Sequence, residues 1–392
     1  MTEGMLDGIR IVDMTGVVFG PYATHMLADL GADVVKVEPP QGDVMRMAGR
    51  PARTRLMAAA HLTLNRGKRS IVLDLKIPAD AEVMRALLAD ADVFIHNIRG
   101  AAIDKLGFGY EAVRALNPAI IYVHGVGFGQ DGPYADLQAY DDVIQAATGA
   151  TTLAGRVDGD PRPRYIPSLI ADKVAGLYGA QAVLGAIVHR LRTGRGQYVE
   201  APMFEAFTHF LLEEHLGAHT FDPPTGPIGY ARQLDPARQP FPTADGYISI
   251  VPYTDANLVE AFTVLGRPQV LDDPRFSTAR DRAAKMTELY GLVAELTPAK
   301  TTAEWIEALR AARIPAMAVR DLSEVTQDPH LQAVGFFRRR THPTEGDFLE
   351  MQPPIRYSDA PTREPRYAPL LGEHTEEIKA ELRAAGRLRE AE

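Results

Sequence analysis

Ile9-Arg-Ile-Val-Asp-Met14, then Thr15-Gly-Val-Val-Phe-Gly20, Pro21 through Gly31, and Val34-Val-Lys-Val-Glu38 is the run that decides the fold. The first and last pieces are short and rich in β-branched residues, so they read as strands. Between them Pro21 stands at a plausible first helical position and Gly31 at the helix's far end, and Pro39-Pro40 stops the second strand. A crossover this short joins parallel strands in a right-handed unit. The pattern recurs downstream. Ser70–Asp74 reads as a strand, 79–89 as a helix, Val93–His96 as a strand, 110–116 as a helix and Ile120–His124 as a strand. Such alternation predicts an α/β domain with a doubly wound parallel sheet and helices on both faces. From about 217 to 246 the chain turns rich in Pro, Gly, Thr and Asp, which marks a boundary or a long crossover. A smaller α+β domain follows, with a strand over Gly246–Val251, helices near 255–265, 281–297 and 302–313, and a strand near Ala316–Arg320. From Gly335 the chain reads as strand and extended segment, then a charged helix from His374. The expected division is 1–222 plus 331–392 for the large domain and 223–330 for the small one.

With 392 residues, 46% hydrophobic and 24% charged, the chain has the make-up of an ordinary globular enzyme. Its net charge of −9 argues against nucleic acid as a partner. It has no cysteine, which excludes disulfides, thiolate catalysis and cysteine-ligated metal, and fits a cytoplasmic protein. The stretch Met1–Arg10 has no signal-peptide core, and the apolar run from Val174 to Val188 is short and interrupted by Gly176, Gln181 and Gly185, so no membrane association is expected.

One carboxylate stands out. Asp172 opens an almost uncharged helical segment, Ile166-Pro-Ser-Leu-Ile-Ala-Asp172-Lys-Val-Ala-Gly176, in which the next charge after Lys173 is Arg190. Small residues at 175, 176, 179, 180, 182 and 186 leave one face without bulk, able to lie close to a neighbouring backbone. In the first turn the helix N-terminus favours the ionised form, so Asp172 is either a candidate nucleophile or an N-cap. Between Val44 and Ser70 there is no acid but seven cations, Arg46, Arg50, Arg53, Arg55, Arg66, Lys68 and Arg69. They read as a polyanion site, or as a solvated loop balanced by acids elsewhere. Asn97-Ile98-Arg99-Gly100 follows a strand, where doubly wound folds bind ligands. The glycines at 125, 127, 129 and 132 run into a turn rather than a helix, so a dinucleotide reading is weak, although Glu38 stands where a ribose-binding acid would lie. His215 and His219 sit one helical turn apart beside Glu213 and Glu214 and lack an obvious third ligand; no metal is expected. The other histidines carry no pattern, and no serine lies in a nucleophile elbow.

Several segments together resemble the family III CoA-transferases, along most of the chain and most strongly over residues 8–205. They are Gly8–Asp13, Leu30–Glu38, Asn65–Lys76, Gly127-Phe-Gly-Gln-Asp-Gly-Pro133, Ala139-Tyr-Asp-Asp-Val-Ile-Gln145 and Thr193–Gln197. The resemblance places the covalent nucleophile at Asp172. It implies that CoA or acyl-CoA is a substrate, with no permanently bound cofactor. It puts the CoA phosphates near Arg46, Lys68, Arg69 and Arg99, the adenine near Asn97 and Ile98, and Tyr140 by the pantetheine or the reacting atoms. Val18 falls in the first ligand loop. It also implies an interlocked homodimer.

The chain departs from the family's patterns in four places. Val18 replaces the glutamine of the formyl-CoA/oxalate branch, and that branch's glycine-rich lid is absent near 240–250, which makes oxalate an unlikely acceptor. The loop after Arg99 reads Gly-Ala instead of Pro-Gly, and Ala171 precedes Asp172 in place of a frequent glycine. The implied activity is CoA transfer from a donor such as succinyl-CoA to a C4 or C5 dicarboxylate or a small hydroxy acid, with Arg162, Arg164, Arg232 and Arg238 as candidate partners for a distal carboxylate. Alternatives are a 2-methylacyl-CoA racemase of the same superfamily, disfavoured because Tyr140 stands where racemases place a histidine, and a non-catalytic CoA-binding protein or a nicotinamide dehydrogenase.

Overall fold

A computed structural model describes residues 4–360 and 364–389, which cluster into two compact units. The first takes the chain to Thr151, then Tyr165–Glu213 and the chain from His330 onward; the second takes Thr152–Arg164 and Glu214–Pro329. The first division thus falls ahead of the expected residue 222, and Thr152–Arg164 joins the second unit.

In the first unit β1 (Arg10–Met14), β2 (Asp33–Glu38), β3 (Lys68–Val72), β4 (Val93–His96), β5 (Ile121–Val126) and β6 (Gln197–Pro202) form one sheet in the order β3-β2-β1-β4-β5-β6. Every pairing is parallel. Alternate residues feed opposite layers, as the pleat requires. Val12, Val35 and Phe94 pack with the helices Pro78–Ala89 and Tyr110–Leu116 and with Ile378 and Leu382 of the helix Thr375–Ala384. Ile11, Val34, Ile95 and Val123 pack with Leu27 of the helix Phe19–Asp29 and with Val183, Ala186 and Ile187 of the helix Ile170–Thr193. The strand order reverses between β1 and β4. The loops leaving those two strands, Thr15–Val18 and Asn97–Arg99, therefore flank the crevice where such sheets take ligands.

Several local expectations shift. The first helix begins at Phe19, so Pro21 is its third residue; the missing N–H is still one of the first-turn donors with no intrahelical partner. β3 starts at Lys68, two residues early, because β2 pairs Val34 with Lys68 and Val35 with Arg69. That puts two cations inside a buried strand. β6 and the short helix Gly100–Lys105 extend the expected pattern.

The helix Ile170–Thr193 is 24 residues long and contains an 18-residue stretch of mean hydropathy 1.2, long and apolar enough to cross a membrane, and is longer than the Val174–Val188 run suggests. Here it is a core helix that buries Val174, Ala175, Gly176, Gly179 and Val183 among others. A hairpin of β10 (Phe337–His342) and β11 (Gly346–Met351) also belongs to this unit. Its preceding strands, β7 (Phe241–Pro242), β8 (Tyr247–Ile250) and β9 (Ala316–Ala318), form the antiparallel sheet of the second unit. That sheet packs with Phe262, Leu289, Trp305 and Leu309 from three helices. The expected 281–297 helix is broken at Lys285, whose φ of −117° and ψ of 22° lie outside helical geometry.

The smooth face of the Ile170–Thr193 helix lies against the first helix. A Cβ at Gly176 would stand 2.9 Å from the carbonyl oxygen of Phe19, and one at Gly179 would stand 3.2 Å from the Phe19 ring. Gly185 has open space around it. Gly176→Ala is expected to destabilise the protein by about 1–3 kcal/mol through this overpacking, whereas Gly185→Ala should stabilise it by about 0.5–1 kcal/mol by removing backbone freedom. Denaturant unfolding of the two variants checks both signs.

Candidate active site

The loop leaving β1 is held from below by buried charge. Asp13 accepts from the Thr15 N–H at 2.9 Å, from the Thr15 and Thr24 hydroxyls, and from Lys68 Nζ at 3.1 Å. Burial alone would raise the Asp13 pKa; Lys68, Lys36 and the two hydroxyls reverse that and bring it to about 2. Lys36 Nζ donates to the Thr15 carbonyl at 2.8 Å and to Asp43 at 3.1 Å, and Asp43 accepts the Val17 N–H at 3.2 Å. Val17 sits at φ 68°, a left-handed conformation that a β-branched residue adopts only when its surroundings impose it. From the other side of the crevice Asn97 clamps Gly16, accepting its N–H and donating to its carbonyl, each at 2.9 Å.

This strained loop delivers Phe19 to Asp172. Asp172 is the third residue of its helix and 7% exposed. The N-cap is Leu169, without a side-chain cap, so Asp172 is not the cap. The Phe19 backbone N–H faces the carboxylate and favours its ionised form. Its own N–H donates to Asp141 Oδ1 at 3.1 Å, while Gln145 Nε2 donates to Asp141 Oδ2 at 2.6 Å. Gln145 also accepts the Ile166 N–H, tying the helix Asp141–Ala147 to the segment leading into Asp172. Burial first, then the Asp141 charge, raise the Asp172 pKa to about 6 against the lowering effect of Phe19. The carboxylate is still largely ionised at neutral pH, but loss of hydration and a neighbouring carboxylate outweigh the helix N-terminus and set its pKa above the ordinary value.

Five of the remaining expected site residues lie around this crevice. Val18 is buried in the clamped loop, Asn97 and Ile98 are half-buried, and Arg99 is exposed with no ion-pair partner among the described residues. Tyr140, 61% exposed, precedes Asp141 and N-caps its helix. The glycines of the Gly-rich stretch make room for neighbours rather than for phosphate. A Cβ on Gly125 would strike the Phe19 ring, and one on Gly127 would strike Ala139 Cβ.

Arg46, Lys68 and Arg69 are corrected as phosphate ligands. Arg46 is 1% exposed and makes a bidentate pair with Glu38 at 2.7 and 2.6 Å plus a bond to the Pro369 carbonyl. That pairing also removes Glu38 as a ribose ligand. Lys68 is enclosed by Asp13, Asn65 and the Pro21 carbonyl. Arg69 pairs with Asp33, Glu377 and Glu381. The acids that balance the basic segment lie outside it in sequence, so local sequence shows an excess that the fold cancels. Arg50, Arg53 and Arg55 are the exposed remainder.

His215 ends its helix and His219 lies in a separate 3-10 turn, so the two imidazoles share no helical face. Arg162, Arg164, Arg232 and Arg238 all belong to the second unit, where Arg164 is paired with Asp158 at 2.6 Å. Sequence reading passed over Asp141, Gln145 and the Phe19 amide, although the first two stand inside the marker 139–145.

A model of CoA-transferase family III matches residues 6–375. The chain is 34% identical over 384 residues to succinate–glutarate CoA-transferase of Agrobacterium fabrum, across 96% of this chain and 95% of that one. It is 33% identical over 396 residues to formyl-CoA:oxalate CoA-transferase of Streptomyces avermitilis, across 95% and 94%. A solved structure of a CAIB/BAIF family protein from Brucella suis superposes with a TM-score of 0.83 at 32% identity, covering 97% of this chain and all of that one.

Because the folded-state pKa of Asp172 lies above its ordinary 3.8, its protonated form favours folding; that contribution is full below about pH 4 and is lost as pH rises through about 6. Asp172→Asn is therefore expected to stabilise the protein by on the order of 2 kcal/mol at pH 8 and to have little effect at pH 4. Thermal unfolding at the two pH values checks this.

Proposed function

The chain belongs to CoA-transferase family III, and on that footing we propose that it moves CoA from succinyl-CoA to a C4 or C5 dicarboxylate, with Asp172 as covalent nucleophile. The observation that carries this reading is a nearly buried carboxylate at the crevice, seated beside Asp141 and facing the Phe19 backbone N–H. The choice of acids is supported by the succinate–glutarate enzyme of Agrobacterium fabrum, and dicarboxylate recognition would come from cations outside the pairs described above.

The chemistry balances without an external base. An Asp172 oxygen attacks the thioester carbonyl, the C–S bond breaks, and CoA thiolate leaves behind an acyl–aspartyl anhydride. The thiolate attacks the aspartyl carbonyl, releasing the donor as a free carboxylate and leaving an aspartyl-CoA thioester. The acceptor carboxylate attacks that thioester and expels the thiolate, which then takes the new acyl group and regenerates the Asp172 carboxylate. Whenever the aspartyl carbonyl is the carbon attacked, its oxygen gains negative charge, and the Phe19 N–H is the donor already aimed there. Raising the Asp172 pKa to about 6 makes the carboxylate a stronger nucleophile while leaving it largely ionised at neutral pH. Asn97, Ile98 and Arg99 would hold the nucleotide end of CoA, with Tyr140 at the rim and Val18 lining the loop. The working form in this reading is a homodimer. An apolar groove of about 1170 Å³ in the first unit, lined by Tyr22, Leu177, Leu184, Val188, Leu349 and Met351, supports a covering partner chain.

Incubation with succinyl-CoA followed by hydroxylamine should leave a hydroxamate on Asp172, found by peptide mass spectrometry. No modification with any acyl-CoA, together with racemisation of a 2-methylacyl-CoA, would favour the proton-transfer alternative instead. Asp172→Ala should lower kcat at least about a thousandfold while CoA still binds. The rate should fall as pH drops through about 6, because protonated Asp172 cannot attack. In Asp141→Asn that acid limb should move to lower pH, since one of the two causes of the raised pKa is gone.

A further inference from the structure

The last residue of β4, His96, lies directly opposite His124 of β5 in the sheet. They are 0% and 5% exposed, and their rings stack with centroids 4.5 Å apart at 27°. Both reach the same residue. The Ile98 N–H donates to His96 Nδ1 at 3.2 Å, and the Ile98 carbonyl accepts from His124 Nε2 at 2.9 Å. The outer atoms fix the tautomers. His96 Nε2 lies 2.8 Å from the Tyr122 hydroxyl, which itself donates to the Phe108 carbonyl, so Nε2 carries the hydrogen and Nδ1 accepts. His124 Nε2 carries a hydrogen to meet the Ile98 carbonyl, and Nδ1 lies 3.1 Å from the Tyr198 hydroxyl, whose one hydrogen it shares with Glu200 Oε2 at the longer distance of 3.4 Å. Burial keeps both imidazole pKa values below the ordinary histidine range, so both rings are neutral at neutral pH.

We propose that His96 and His124 are positioning residues that lock the backbone of Ile98 and thereby set the affinity of the Asn97–Arg99 loop for CoA. Ile98 lies between Asn97, which grips Gly16, and Arg99, the N-cap of the helix Gly100–Lys105. Neither of its peptide groups is held by the helix that follows, so the two histidines replace secondary structure as the restraint. Without them Arg99 and the Ile98 side chain would sample many directions before binding, and ordering them would weaken affinity. The proposal rests on the reading of this loop as the CoA site.

The test uses calorimetric titration with CoA itself, which needs no acceptor acid. Asparagine and glutamine carry the same amide at different reach, one near the position of histidine Nδ1 and the other near Nε2. His96→Asn and His124→Gln keep the bond to Ile98, whereas His96→Gln and His124→Asn keep only the outer tyrosine bond. Expected Kd values stay within about threefold of the parent for the first pair and rise about tenfold or more for the second, the scale of one lost hydrogen bond. At saturating acyl-CoA, kcat should change less than about twofold in all four, since Asp172 and its partners are untouched. Equal Kd values in the two pairs, or losses that follow thermal stability alone, would overturn the positioning role. Arg99→Ala separates the two ideas: weakened CoA binding there with unaffected histidine variants sinks only the clamp. Unchanged binding in Arg99→Ala sinks the CoA reading of the loop and the clamp with it.

Discussion

The site depends on how closely two helices approach. The helix Phe19–Asp29 can deliver a backbone N–H to Asp172 only because Gly176 and Gly179 offer no Cβ toward it. Any larger side chain would push the first helix outward and take the Phe19 amide with it. The same contact puts the ring of Phe19 beside Gly125 and buries Asp172 beneath both elements. Close packing and the raised pKa therefore have one origin. A helix with ordinary side chains on that face would leave the carboxylate hydrated and acidic.

Beneath the crevice the fold spends buried charge on geometry. Asp13, Lys36, Glu38, Arg46 and Lys68 are all 2% exposed or less, and each has at least one opposite partner at hydrogen-bond distance. Apolar residues of equal volume would serve stability as well, but removing one partner of such a pair leaves an uncompensated charge at a cost of about 3–5 kcal/mol. What the charges add is direction. Lys36 and Asp43 hold the Thr15 carbonyl and the Val17 N–H in a conformation that valine avoids elsewhere. The strain at Val17 is sustained by the two salt-bridged groups below it and by Asn97 above.

Two effects compete at Asp172, and magnitude decides between them. A helix N-terminus contributes about 0.3–1 kcal/mol toward an ionised carboxylate. Loss of hydration together with a second carboxylate contributes more in the opposite sense, and the net pKa is about 6. Asp141 cannot simply be an acidic neighbour tolerated by the fold, because its Oδ1 accepts the Asp172 N–H that the helix leaves without a partner. One side chain thus completes the helix start and tunes the group that starts there.

Sequence periodicity by itself determined the α/β alternation and the strands around the switch point, because those strands are short, mostly apolar β-branched runs bounded by turn and helix signals. It also singled out Asp172, since a lone carboxylate in a small-residue helix is visible without coordinates. The basic segment shows the limit of such reading. Four of its seven cations are matched by Asp13, Asp29, Asp33, Glu38, Glu377 and Glu381, residues up to hundreds of positions away, so a local excess of charge was indistinguishable from a ligand site. His96 and His124 carry no pattern in sequence; they meet because parallel strand register sets them side by side. Whether a polar side chain is available to a ligand depends on what else competes for its hydrogen bonds. That competition is settled by contacts between distant segments, and only the tertiary structure decided it.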